Sequence, residues 1–223
     1  MKKYAKELIM ISLVIVLFVV VSLFVFVFNG TEFDIQVFET VDYIKSDFLT
    51  GFFKFITFFG GKIFTIIFVV LTSIVLINRK KSTYRRFVKN EKTNNILNMM
   101  MPWFIFVLAV LLVTVLFLVL KEVFARPRPI EWFMINEHGW SYPSGHTATS
   151  FAMFGSFALL INTVINKKWL RVLIASSAVM LSWTIAFSRV YLGVHHLTDI
   201  LAGACIGVIV VCIASMLLKL LKT

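Results

Sequence analysis

The stretch from Ser188 to Asp199, SRVYLGVHHLTD, concentrates ionisable side chains in an otherwise apolar chain. His195 and Asp199 are four residues apart, a spacing that places them one helical turn apart and lets the carboxylate accept a hydrogen bond from one imidazole nitrogen. The other nitrogen then keeps a basic lone pair, as a histidine base or nucleophile requires. His196 points about 100° further around the same helix and is interpreted as structural, without an orienting partner.

A second segment, YPSGH over residues 142–146, has the composition of an anion-binding turn. Pro143 and Gly145 predict a tight turn at the start of a helix, where free backbone N–H groups and the Ser144 hydroxyl can hold the oxygens of an anion. His146 would stand beside that anion as a proton donor. Together with the first segment, this predicts phosphate chemistry with a histidine nucleophile and a second histidine for the leaving group.

A third segment, KEVFARPRP over residues 121–129, adds the cations Lys121, Arg126 and Arg128. Two other kinds of site are disfavoured. A serine hydrolase would require a nucleophile-elbow motif, which the sequence lacks. A zinc site would have to use His146, His195, His196 and Asp199, but the surrounding cations would repel a metal and the usual ligand spacings are missing.

Long apolar runs must carry these three segments. Hydrophobic residues make up 60% of the chain and charged residues 15%, and runs of about 18 or more apolar residues are long enough to span a bilayer. We predict an all-α, polytopic membrane bundle that forms one domain over residues 1–223. Six spans are predicted: Leu8–Phe28, Phe55–Ile77, Met101–Leu120, Ala148–Ile165, Val172–Phe187 and Ile200–Leu218.

A short amphipathic helix is predicted between the first two spans. Phe33, Val37, Val41, Ile44 and Phe48 recur at helical spacing with acidic residues among them, which is typical of a helix lying on a membrane surface.

The positive residues indicate the orientation of the bundle. They fall before span one, between spans two and three, and between spans four and five: Lys2, Lys3, Lys6, Arg79, Lys80, Lys81, Arg85, Arg86, Lys89, Lys92, Lys167, Lys168 and Arg171. Because Lys and Arg are retained in cytoplasmic loops, both termini should be cytoplasmic and the three segments extracytoplasmic. The net charge of +11 is then explained by topology and not by nucleic acid.

The three segments together resemble the signatures of the type 2 phosphatidic acid phosphatase family of integral membrane lipid phosphatases. Lys-x6-Arg-Pro is Lys121 to Pro129, Pro-Ser-Gly-His is Pro143 to His146, and Ser-Arg-x5-His-x3-Asp is Ser188 to Asp199. The signatures are complete and ordered, and the six-span layout of the family would cover nearly the whole chain.

The resemblance implies a role for each signature residue. His195 would attack phosphorus to form a phosphohistidine, Asp199 would orient it, and His146 would protonate the leaving oxygen. The positions that match the phosphate-binding residues of the family are Lys121, Arg128, Ser144, Gly145 and Arg189. The reaction would need no metal ion or other cofactor, so independence from magnesium is a prediction.

The expected substrate is a lipid phosphate in the bilayer, because the signatures contact phosphate and not the rest of the lipid. Phosphatidylglycerophosphate or phosphatidate is the first expectation, and undecaprenyl diphosphate, the cell-wall carrier lipid, is the alternative. A compact chain rich in Lys, Ile and Asn favours a bacterial substrate over eukaryotic signalling lipids. The rival of a different class is a non-catalytic lipid-binding or transport protein, which the intact signature residues disfavour.

Three further hypotheses concern residues near these segments. Lys62, near the outer end of the second span, would touch a substrate phosphate or else snorkel to the interface. Glu137 and His138 would select a head group or lie in a solvated loop. Gly203 and Gly207 form a Gly-x-x-x-Gly pair that would let a neighbouring helix approach the last span closely.

Overall fold

The structure, a computed structural model, describes residues 2–28, 30–77 and 96–221. In those ranges the chain is helical, and no strand is found. The α-helices are α1 Ala5–Phe26, α2 Thr31–Asp42, α3 Asp47–Phe58, α4 Lys62–Ile77, α5 Ile96–Phe124, α6 Gly145–Asn162, α7 Lys168–Tyr191 and α8 Leu197–Leu220. The basic residues predicted between spans two and three, Arg79 to Lys92, lie outside the described residues.

Four of these helices, α1, α5, α7 and α8, are long and apolar enough to cross a membrane, and α3 with α4 makes a fifth crossing if the bent pair is one span. The protein is therefore a multi-pass helical membrane protein. The predicted span Ala148–Ile165 corresponds to α6, which has 18 residues, most of them buried. Because neighbouring helices surround α6, its sequence holds Gly, Ala, Ser and Thr where a lipid-facing helix would hold larger apolar residues. The count of six spans stays a prediction.

The second predicted span, Phe55–Ile77, is wrong as one continuous helix. The chain breaks between Phe58 and Lys62, and the axes of α3 and α4 differ by 51°. Two consecutive glycines sit at the break, and glycine is a weak helix former. A Cβ on Gly60 would lie 2.6 Å from Ile185 Cγ2 and 2.9 Å from Ser150 Oγ, so the break lets the backbone approach α6 and α7 closely.

The predicted surface helix exists as α2, but it ends at Asp42 and its buried face differs from the prediction. Its buried residues are Asp34, Phe38 and Val41, whereas Phe48 belongs to the next helix and is 80% exposed. Ser46 caps that next helix by accepting a hydrogen bond from the Leu49 N–H at 3.3 Å. The face that packs against the protein therefore carries Asp34 and Phe38, whereas Phe33 of the predicted stripe is 43% exposed.

Close packing of α6 against α8 places the first residues of both helices next to each other along the axis of the bundle. A Cβ on Gly203 would lie 2.6 Å from Ser144 O, and a Cβ on Gly207 would lie 2.8 Å from Ala148 O. The close approach predicted from the Gly-x-x-x-Gly pair is therefore confirmed, and α6 is the partner.

The two ends of the chain lie together at the far end of α8. Lys219 Nζ is 2.5 Å from Glu7 Oε1, and Ser215 Oγ donates to the same carboxylate at 2.9 Å. Helix α8 has 24 residues, which corresponds to a length of about 36 Å at 1.5 Å per residue. The start of α8 is therefore on the opposite side of the bundle from both termini.

Candidate active site

The three signature segments meet at the end of the bundle where α5 ends and where α6 and α8 begin. Helix α5 and the loop after it supply Lys121 and Arg128, the start of α6 supplies His146, and the end of α7 supplies Arg189. The turn between α7 and α8 supplies His195. Positions far apart in sequence thus converge on one region, as the sequence analysis predicted.

His195 lies between a carboxylate and a guanidinium. Its Nδ1 is 3.4 Å from Asp199 Oδ2, and its Nε2 is 3.2 Å from Arg128 Nη1. The imidazole is 1% exposed. The contact with Asp199 favours a proton on Nδ1. Nε2 is then the nitrogen that faces the predicted phosphate cradle, which consists of Lys121, Arg128, Ser144, Gly145 and Arg189.

The pairing of His195 with Asp199 was predicted, but its helical basis was wrong. Helix α8 begins at Leu197, so His195 precedes it, and Asp199 reaches back across the helix start. The structural interpretation of His196 agrees with its position, but the expectation that it has no orienting partner was wrong. Its backbone N–H donates to Asp199 Oδ2 at 2.9 Å, and its Nδ1 is 3.1 Å from the same oxygen. His196 is the N-cap residue of α8. Its side chain reaches Asp199, three residues later, because the N-cap residue does not have helical backbone angles.

Asp199 is the most connected side chain of the site. Its Oδ1 accepts a hydrogen bond from Arg126 Nη1 at 2.7 Å, and its Oδ2 accepts one from Ser141 Oγ at 2.8 Å. Its backbone carbonyl accepts a hydrogen bond from the Ser144 N–H at 3.0 Å, which ties the second signature to the third. The carboxylate has no exposed surface, so its orientation is set by these partners.

Arg189 and Arg128 face a carboxylate from the loop after α5. Arg189 Nη2 contacts Glu137 Oε1, and Arg128 Nη2 is 3.8 Å from Glu137 Oε2. Arg189 Nη1 donates to Thr57 Oγ1 at 2.7 Å. Arg189 is 1% exposed, and its Nε has no hydrogen-bond partner among the residues that the structure describes. A buried guanidinium with an unused donor is prepared for a further oxygen acceptor. Glu137 is thus the internal anion at the site.

The remaining cradle residues sit at helix termini. Lys121 Nζ donates to the carbonyl oxygens of Trp140 and Ser141. Ser144 is the N-cap of α6 and is fully buried, and its Oγ accepts a hydrogen bond from Thr147 Oγ1 at 3.0 Å. Gly145 begins the helix, where the first N–H groups have no intrahelical acceptor and form an anion site.

His146 lies against the break between α3 and α4. Its Cδ2 would be 3.3 Å from a Cβ on Gly60, and its Nε2 would be 3.8 Å from a Cβ on Gly61. Burial, and then the charge of Arg189, hold the pKa of the His146 imidazole well below its usual value. Burial also lowers the pKa of His195, although the hydrogen bond to Asp199 opposes this shift.

Sequence reasoning missed several residues that complete the site. Arg126 was noted as a cation without a role, and Asp34, Thr57 and Ser141 were not singled out. One feature of the sequence could have identified Asp34: its carboxylate lies on the same helical face as Phe38 and Val41. An apolar face rarely contains an unpaired charge, so a buried partner would have been expected.

The other candidates remain at the periphery. Lys62 begins α4 and is exposed, so its contact with phosphate stays a prediction. His138 is exposed, and its backbone carbonyl accepts a hydrogen bond from Arg128 Nη2 at 3.1 Å. Within residues 2–28, 30–77 and 96–221, no group of three or more His, Cys, Asp or Glu side chains is placed to hold a metal ion.

Comparisons with known proteins identify relatives among lipid phosphatases. The PAP2 superfamily model matches residues 102–221. The chain is 32% identical over 96 residues to phosphatidylglycerophosphatase B of Bacillus subtilis, a match that covers 41% of this chain and 45% of that protein. It is 26% identical over 204 residues to an undecaprenyl-diphosphatase of Sulfolobus acidocaldarius, covering 87% of this chain and 84% of the relative.

Two solved structures share the fold. A transmembrane PAP2-type phosphatidylglycerolphosphate phosphatase from Bacillus subtilis superposes with a TM-score of 0.78 at 21% identity, covering 92% of this chain and 94% of that one. LpxE of Aquifex aeolicus superposes with a TM-score of 0.59 at 24% identity, covering 82% of this chain and 94% of that one. Because the family model spans more than half of the chain and contains all three signature segments, the protein belongs to the PAP2 superfamily of membrane lipid phosphatases.

Proposed function

We propose that this protein hydrolyses the terminal phosphate of a membrane lipid phosphate through a phosphohistidine intermediate. The observation that carries the proposal is the position of His195, with Asp199 on one ring nitrogen and Arg128 beside the other. An oriented imidazole next to a fixed cation suits attack on a phosphoryl group, whose charge must be neutralised as it transfers.

In the first step, the lone pair of His195 Nε2 forms a bond to phosphorus and the bond from phosphorus to the lipid oxygen breaks. The leaving oxygen takes a proton from His146. The Nδ1 proton of His195 stays on the side of Asp199, whose negative charge stabilises the cationic ring that forms.

In the second step, a water molecule attacks the phosphorus of the phosphohistidine. Neutral His146 accepts a proton from that water, the bond from phosphorus to nitrogen breaks, and His195 returns to its neutral form. The net reaction is a lipid phosphate and water giving a lipid alcohol and inorganic phosphate. With a lipid diphosphate, the leaving group is the lipid monophosphate.

Fixed donors would bind the transferring phosphoryl group in both steps. Lys121, Arg128 and Arg189 would neutralise its charge, and the Ser144 hydroxyl with the N–H of Gly145 would hold an oxygen at the start of α6. The unused Nε of Arg189 supports this assignment. The same groups supply the charge that a metal ion provides in other phosphatases, so we expect no requirement for magnesium.

The substrate we place first is phosphatidylglycerophosphate or phosphatidate, and the alternative is undecaprenyl diphosphate. The matched relatives include proteins named for phosphatidylglycerophosphate and for undecaprenyl diphosphate. We also propose that the site faces the extracytoplasmic side. Lys167 precedes α7, and Lys168 and Arg171 lie in its first turn, at the end of the bundle opposite the site. These positive residues favour a cytoplasmic position for that end.

The test is phosphate release by purified protein in detergent with EDTA present. Phosphatidylglycerophosphate, phosphatidate and undecaprenyl diphosphate are assayed in parallel. We expect release from at least one lipid by the wild type and no release by His195→Ala, and the relative kcat/KM values rank the substrates.

His138→Ala is the matched control, because it also removes an imidazole, at an exposed position, but keeps the backbone carbonyl that Arg128 contacts. Its kcat should stay near that of the wild type. If the wild type released phosphate from none of the lipids, the hydrolase proposal would fail and the lipid-binding or transport alternative would replace it. Release that persisted in His195→Ala would remove the phosphohistidine step.

A further inference from the structure

A buried network outside the signature positions links the surface helix α2 to the candidate nucleophile. Arg126 Nη2 donates to Asp34 Oδ2 at 2.9 Å, and Arg126 Nη1 donates to Asp199 Oδ1 at 2.7 Å. Thr198 joins the same network, because its Oγ1 donates to Asp34 Oδ2 at 2.6 Å and accepts a hydrogen bond from Arg126 Nη1 at 2.7 Å. Its backbone N–H donates to Asp34 Oδ1 at 3.1 Å.

The burial of this network makes its geometry rigid. Asp34 and Asp199 have no exposed surface, Thr198 is 2% exposed and Arg126 is 6% exposed. Both oxygens of Asp34 are used, and each terminal nitrogen of Arg126 donates to a carboxylate. Buried charges that are fully paired hold one arrangement, because every alternative leaves an unpaired charge.

The division of the Asp199 oxygens shows what the network does. Arg126 and no other side chain of the network donates to Oδ1, whereas Oδ2 is shared by Ser141, His196 and His195, the last at 3.4 Å. A carboxylate whose Oδ1 is fixed cannot rotate Oδ2 away from the imidazole. Asp34 in turn accepts a hydrogen bond from Arg126 Nη2. Because Nη1 and Nη2 each donate to a carboxylate, the plane of the Arg126 guanidinium is fixed.

We propose that Asp34 and Arg126 are positioning residues that act through Asp199 to keep the His195 imidazole in the tautomer and orientation needed for attack on phosphorus. This inference rests on the proposed function for its kinetic consequences, although its structural consequence can be measured without turnover. It also assigns a role to α2, which anchors the nucleophile from outside the bundle.

The kinetic test compares Asp34→Asn and Arg126→Lys with the wild type. The lysine keeps the charge but cannot bridge two carboxylates. We expect kcat to fall roughly tenfold to hundredfold, as when a partner that orients a functional ligand is removed, and KM to stay within about twofold because the phosphate cradle is intact. Glu39→Gln is the matched control, since it makes the same chemical change at an exposed position of α2.

A double-mutant cycle separates positioning from general stabilisation. If Asp34 acts through Asp199, Asp34→Asn should lower kcat in the wild-type background but have little further effect in Asp199→Asn. Equal fold-losses in both backgrounds would overturn the proposal, as would a loss expressed only in KM or in the folded fraction. Thr198→Val, which removes a single hydroxyl, serves as the milder variant if Asp34→Asn does not fold, and a kcat unchanged in Thr198→Val would then count against the network.

The second readout is the tautomer of His195 in protein labelled with 15N-histidine, assigned by the signal lost in His195→Ala. The wild type should hold the Nδ1-protonated form, and Asp34→Asn should show a mixture of forms. Identical signals in the two proteins would overturn the inference. If the wild type turned over no lipid phosphate, the proposed function would fail, and this comparison would still decide whether the network positions His195.

Discussion

His195 and His146 share an environment that opposes their protonation. Burial lowers the pKa of both imidazoles from the usual 6.5, and the nearby guanidinium groups act in the same direction. In the proposed mechanism, the lowered pKa keeps His195 neutral at neutral pH, which suits attack on phosphorus. His146 would then acquire its proton when the negatively charged phosphate binds, because an adjacent anion raises the pKa of an imidazole.

The pH dependence of kcat/KM tests the state of His195. Because the pKa of the free imidazole is lowered, His195 becomes protonated only below pH 6.5, and we expect the acidic limb of kcat/KM to lie below that value. The contact with Asp199 raises the pKa of His195, so Asp199→Asn should move the acidic limb to still lower pH. A limb that stayed in place would reflect ionisation of the lipid phosphate. A kcat/KM with no acidic limb at any pH at which the protein stays folded would contradict the role of His195.

In the proposed mechanism, Glu137 would compete with the incoming phosphate for the guanidinium groups of Arg128 and Arg189. Its carboxylate contacts Arg189 and lies 3.8 Å from Arg128. We expect Glu137→Gln to lower the inhibition constant of inorganic phosphate roughly fivefold to tenfold. The neutral amide no longer neutralises the two guanidinium groups, so they attract phosphate more strongly. Glu131→Gln, an exposed change in the same loop, should leave inhibition unchanged. Weaker inhibition in Glu137→Gln would mean that the carboxylate positions the arginines for phosphate.

At the scale of the elements, the distance between α6 and α8 sets the separation between His146, at the start of α6, and His195, just before α8. Gly207→Ala would put a Cβ 2.5 Å from Phe151 Cβ and 2.8 Å from Ala148 O. We expect a loss of about 1–3 kcal/mol in unfolding free energy from overpacking and a lower kcat, although the residue touches no reacting group. Thermal unfolding and turnover are measured on the same preparation.

Gly51→Ala is the control for this change. Gly51 lies inside α3 with nothing within 4 Å of the new Cβ, so the substitution should be neutral or slightly stabilising. A Gly207→Ala protein as stable and as active as Gly51→Ala would show that the helices separate without consequence.

For the molecule as a whole, the sequence was most informative where chemistry and hydropathy are local. The signature residues could be placed at one end of the bundle because their loops alternate across the membrane, and the pairing of His195 with Asp199 followed from four-residue spacing. The break at Gly60 was hidden, because hydropathy measures apolar length and not helix continuity. Asp34 was hidden because its partners Arg126 and Thr198 lie 92 and 164 residues away.

The two halves of the chain contribute unequally to the site. Every signature residue lies within 102–221, whereas Asp34, Thr57 and Gly60 reach the same region from α2, from α3 and from the break before α4. The second half therefore contains all the residues of the proposed reaction. The first half contacts Arg126, Arg189 and His146 from one side of the site. Under selection for a new lipid, the first half could diverge in sequence only if Asp34, Thr57 and Gly60 were kept, because these three positions support the site.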